Sequence, residues 1–154
     1  MLNIHEQIVN YLWQLHMLTI RGCYEQVADL ARLESSGYEQ YLLDLIKQEY
    51  EVRRHNRIAR NLRDSKLPLS KTSDNFDKKR LPAKVANNLN ILIDGSFLNR
   101  CENVSAFGNP GSGKSHLLCA IGHELIEQGK RVLFISCCQL MQNLLISKRD
   151  LEMT

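Results

Sequence analysis

Apolar residues recur at helical spacing from the start of the chain. Ile4, Ile8, Leu12, Leu15 and Leu18 make one stripe, which predicts a helix over residues 2–20, closed by Gly22 as a C-terminal cap. A second helix is expected over 23–33, stopped by Ser35-Ser36-Gly37. A third begins near Tyr38, with Tyr41, Leu42, Leu45 and Ile46 on one face, turns arginine-rich from Arg53 to Arg63, and ends by Leu67 because Pro68 follows. Residues 64–82 lack periodicity and read as a linker, with Phe76 as the one large apolar residue in its middle. Short helices are expected over 83–93 and 97–101.

Beyond residue 103 the pattern changes. Val104 to Phe107 and Val132 to Ile135 are short apolar runs of the buried-strand type. Between them lie a glycine-rich turn over 108–113 and a helical pattern over 114–128, with Leu117, Leu118, Ile121, Leu125 and Ile126 on one side and Gly129 as its stop. Ser136 is placed to cap a further helix carrying Leu140, Met141, Leu144 and Leu145. The order strand, loop, helix, strand, helix predicts the α/β class: a helical segment over 1–67, then a linker and the front of a parallel α/β domain over 68–154.

Charge sharpens this picture. Residues 53–80 hold ten Lys/Arg against three Asp/Glu, while the remaining chain is net acidic. A basic segment on an acidic chain points to a partner bearing phosphates. Arg53, Arg57 and Arg60 share a helical face, with Arg54 and Lys66 nearby, and Arg63 completes the candidate set. Two readings stand: contacts to DNA phosphates, or a solvated helix surface with Glu49 and Glu51 as local ion partners. No base-reading element is visible, so DNA binding would be non-specific. Aromatics at 6% argue against a stacking platform for single strands. Five cysteines without a C-x-x-C pair argue against a disulfide framework or a zinc ribbon, and His123-Glu124 and Cys137-Cys138 lack partners at metal-ligand spacing. Without a long apolar run or a leader pattern, the expected location is cytoplasmic, with no membrane association.

The sharpest signal is Gly108-Asn109-Pro110-Gly111-Ser112-Gly113-Lys114-Ser115, which matches G-x-x-x-x-G-K-[ST], the Walker A pattern of P-loop NTPases, at every position. Gly111 and Gly113 permit backbone angles that let successive N–H groups converge on phosphate oxygens. The following helix adds its positive end. Lys114 supplies charge to the outer phosphates of a nucleotide, and Ser115 an oxygen for Mg²⁺. His116 closes the candidate set; the residues alone leave open whether it lies near the phosphates or on an exposed first turn. The apolar run Asn90 to Asp94 ends in an acid, but Gly95 follows it, so a helix end is the simpler reading.

The run from Asn103 to Leu117 resembles the IstB-like ATP-binding proteins, helper ATPases of insertion-sequence transposition related to the DnaC helicase loaders. Ala120-Ile121-Gly122, Gly129 to Phe134, Leu140 to Leu144, the arginine-rich helix, Lys71-Thr72 and Asn75-Phe76-Asp77 extend the resemblance over nearly all of residues 2–147. It implies an AAA+ type ATPase acting on DNA with a transposase and assembling as a homo-oligomer. A helicase loader, or a non-catalytic binding remnant, are the alternatives. The family's acidic strand end and its arginine from a neighbouring subunit have no counterpart before Thr154. The expectation is therefore a C-terminally truncated, marginally stable member with impaired hydrolysis.

Overall fold

The computed structural model describes residues 3–73 and 83–152. Seven helices make up its regular structure: α1 (Ile4–Gln14), α2 (Leu18–Leu33), α3 (Tyr38–Ser65), α4 (Ala83–Asp94), α5 (Ser96–Asn99), α6 (Lys114–Glu127) and α7 (Cys137–Glu152). The expected linker residues around Phe76, including Asn75 and Asp77, lie outside the described residues. The chain divides into two compact units, Met1–Arg57 and Ile58–Thr154.

The expected parallel α/β domain is overturned. Among the described residues there is no strand and no sheet. A strand exists only as one half of a ladder, and neither apolar run finds a ladder partner. The Phe134 amide, in the middle of one run, donates instead to the Ser65 carbonyl at the end of α3, at 2.7 Å. The other run is open on its surface: Val104 is 38% and Phe107 93% exposed. β-branched and aromatic residues favour extended backbone but do not supply a neighbour.

In the first unit α1 starts on a reciprocal cap, the Asn3 amide donating to the Glu6 carboxylate at 3.0 Å. It ends earlier than the stripe predicts. His16 takes a left-handed conformation, φ 55°, while its own amide bonds to Trp13 O and that of Met17 to Leu12 O. That pair of bonds is a Schellman stop built without glycine. Gly22, the expected stop, lies inside α2. Ser35 repeats the device at the end of α2, with φ 53°. Ile20, Val27 and Leu45 form the core of this unit, with Leu12, Met17 and Tyr41 packed against them.

In the second unit α6 is the central element. One side packs Cys119 and Ile126 against Leu67, and the other packs Ile121 and Leu125 against Leu89. Burial on both sides explains why its residues are apolar around most of the circumference. The α4–α5 corner approaches it so closely that a Cβ on Gly95, whose φ is +73°, would stand 2.7 Å from Leu125 Cδ2. Gly129 ends α6 as expected, with Lys130 N bonded to Leu125 O at 2.9 Å. Ser136 caps α7, accepting the Gln139 amide at 3.2 Å. Residues 137–151 of α7 are all exposed.

Candidate functional site

The glycine-rich loop joins the open run at 104–107 to the first turn of α6. Gly111 and Gly113 both have positive φ, +79° and +85°. A residue with a Cβ is strained in that region, so glycine is what the loop's path requires. A tight turn closes its middle, Ser112 N donating to Asn109 O at 3.2 Å. Gly113 caps α6 and brings no side chain to its first amides. The start of the helix therefore presents N–H groups, and its dipole, toward the loop.

Lys114 bends back over this loop. Its Nζ donates to the carbonyls of Gly108 at 2.9 Å and Asn109 at 2.7 Å, and lies 3.3 Å from Ser112 Oγ. A Cβ on Gly108 would meet Ser112 Oγ at 3.0 Å, so the loop is closely wrapped around the lysine. Asn109, Pro110 and Ser115 are exposed. Residues 108–115 thus bring together an ammonium group, a hydroxyl and helix-start amides at one exposed place, a set suited to an anion rich in oxygens. Beside the loop lies a cavity of about 650 Å³, walled by Ile91, Phe97, Leu117 and Ile121 and sharing Gly108 and Lys114 with the loop.

His116 reaches the segment after α3. Its ring is half-buried, and Nε2 lies 3.2 Å from the carbonyl of Thr72. Thr72 belongs to the segment after α3 that lies along α6. His123 Nε2 meets Pro68 O at 3.2 Å, and Ser73 Oγ donates to Glu124 at 2.5 Å. These pairings carry no sequence signal, because they join residues some 44 to 55 positions apart.

The arginines of α3 separate into two kinds. Arg53 is engaged within the first unit: Nε donates to Glu49 Oε1 at 2.7 Å and Nη2 to His16 O at 2.7 Å. Glu49 in turn accepts the amides of Thr19 at 2.9 Å and Ile20 at 3.2 Å, capping α2 from another helix. Burial pushes the Glu49 carboxyl up, but the bonds from Arg53, Ile20 and Thr19 together outweigh it and hold the group below its ordinary value. Arg54 stands 3.8 Å from Glu51. Arg57, Arg60 and Arg63 are exposed and have no ion partner among the described residues. In the described residues no cluster of three or more His, Cys, Asp or Glu is placed to hold a metal ion, and no helix is long and apolar enough to cross a membrane.

Comparison with known proteins gives this geometry a family. Residues 11–154 match the model for the IstB-like ATP-binding proteins. An insertion-sequence ATP-binding protein of Sinorhizobium fredii is 35% identical over 99% of this chain and 53% of its own length. The IS5376 ATP-binding protein of Geobacillus stearothermophilus is 32% identical over 90% of the chain and 55% of its own. A shorter similarity, 46% over 46 residues, links 28% of the chain to 19% of the replicative helicase loader DnaC of Buchnera aphidicola. The chain spans about half the length of the insertion-sequence proteins it matches. With a family match that covers both the helical N-terminal region and the glycine-rich loop, the chain belongs to the IstB-like ATP-binding proteins.

Proposed function

We propose that this chain binds ATP with Mg²⁺ through the 108–115 loop and serves as a helper in DNA transposition. The observation that carries the nucleotide reading is the posture of Lys114, an ammonium group held on the carbonyls of Gly108 and Asn109 in a loop whose Gly111 and Gly113 have positive φ at the start of α6. Such a loop fits a phosphate chain: the amides from Gly111 to Lys114 cradle its oxygens, Lys114 meets the outer phosphates, and the exposed Ser115 hydroxyl serves as a ligand to Mg²⁺. The metal's chemistry there is to neutralise phosphate charge. Membership in an ATP-binding family supports this reading.

The test is titration with a fluorescent ATP analogue and Mg²⁺, with Lys114→Ala alongside. Saturable binding, weakened at least about tenfold in the variant, is expected from the loss of a charge-assisted contact. Equal binding by both proteins would refute the assignment of the loop.

DNA enters through Arg57, Arg60 and Arg63, whose exposed guanidiniums suit phosphate contacts without base readout. The relatives' description as insertion-sequence proteins supports transposase as the protein partner, and self-association into a homo-oligomer accompanies that role. The similarity to DnaC favours one second reading, a helicase loader. Co-purification with transposase rather than with a replicative helicase separates the two.

A further inference from the structure

The segment 67–73, within the stretch expected as linker, has no helix of its own; a backbone bond inside it joins Lys71 N to Pro68 O at 3.1 Å. It is held from outside, by side chains of α6. Leu67 is buried against Cys119 and Ile126 and lies so near Gly122 that a Cβ there would stand 3.1 Å from it. His123 holds the carbonyl of Pro68, Glu124 holds the hydroxyl of Ser73, and His116 holds the carbonyl of Thr72. Positions 116, 119, 123 and 126 follow helical spacing, so one face of α6 carries the whole strap.

Of these anchors, His116 has the special place. It sits in the first turn of α6, next to Ser115 and two residues after Lys114. An anion seated at the helix start draws the first-turn amides toward itself and lifts Lys114 off the carbonyls of Gly108 and Asn109. A change at that turn alters the His116–Thr72 bond directly, while His123 and Glu124 lie two turns further on. We propose that the 67–73 strap responds to the occupancy of the 108–115 loop, and that His116 is the positioning residue that conveys it. This rests on the reading of the loop as a nucleotide site. A ligand shifts a segment only as far as it favours one arrangement over another, so the effect expected is of the order of one hydrogen bond.

The experiment is amide hydrogen exchange across residues 69–73 in the whole chain, with and without ATP analogue and Mg²⁺ at concentrations shown to saturate each protein by fluorescent titration. Saturation is expected to change strap exchange by about fivefold, the factor that one hydrogen bond sustains. His116→Ala is expected to lose this response, and His116→Gln, which keeps an amide donor at a similar reach, to recover part of it. His123→Ala is expected to speed strap exchange in both states and to keep the response. Saturable binding with an unchanged strap overturns the proposal while leaving the nucleotide reading intact. So does a native response in His116→Ala, or a response lost equally with His123→Ala. Failure of the native chain to bind nucleotide overturns both readings.

Discussion

Glu49 is the most consequential side chain of the first unit, and its removal can be worked through. Glu49 is 7% exposed, and its carboxylate accepts three hydrogen bonds, from the amides of Thr19 and Ile20 and from Arg53 Nε. Hydrogen bonds to a charged group contribute about 1.5 to 3 kcal/mol each, and a buried donor left alone costs about 1 to 3 kcal/mol. The Arg53 side chain is 54% exposed, so its share is heavily screened. The two amides then dominate, and Glu49→Ala is expected to destabilise this unit by about 3 kcal/mol. Glu49→Gln keeps an acceptor for them and loses the charge, at about 1 kcal/mol. Trp13, the chain's one tryptophan, sits 4.8 Å beneath the Arg21 guanidinium, so urea unfolding followed by its fluorescence reports on this unit. The pH dependence supplies the sign. The folded carboxyl titrates below its ordinary 4.5, so its contribution is present above that value and lost as pH falls through the folded one. The gap between the native chain and Glu49→Gln should stay constant over about pH 6 to 8 and close in more acid solution. An alanine variant that unfolds at the native midpoint, or a glutamine gap indifferent to acid, would refute the capping argument.

Gly22→Ala is expected to stabilise the chain by about 0.5 to 1 kcal/mol in the same unfolding measurement, because the position is inside α2 and nothing lies within 4 Å of the added methyl. Were Gly22 a left-handed cap, the substitution would destabilise instead. Replacing Arg60 and Arg63 together by alanine should weaken DNA binding and flatten its salt dependence by about two units of log–log slope, read by anisotropy at several salt concentrations. Arg53→Ala, by contrast, is expected to lower the urea midpoint of the first unit, since Arg53 bridges Glu49 and His16.

The sequence made some parts legible because their determinants are local. The extents of α4 and α6, the Gly129 stop and the Ser136 cap rest on residues within one or two turns of each other. The loop's glycines fall where positive φ is needed. What escaped was non-local or chemically unmarked. The end of α1 uses His16 in a conformation for which the sequence advertises Gly22. The run at 132–135 has strand composition, yet its Phe134 amide is claimed by a carbonyl 69 residues away. Arg53 looks like its neighbours in sequence and differs from them only through a buried carboxylate one turn back and the His16 carbonyl in the turn between α1 and α2.

The posture of Lys114 has a bearing on which anions the loop can admit. Its ammonium is already surrounded by oxygens of its own chain, two carbonyls and a hydroxyl. On the proposed reading an entering anion meets no bare cation; it must replace those three oxygens with acceptors of its own. Chloride or acetate offers too few acceptors to complete that exchange, whereas a chain of linked phosphates offers many at once. On the proposed nucleotide reading, selectivity among anions follows from the number of acceptor oxygens delivered together.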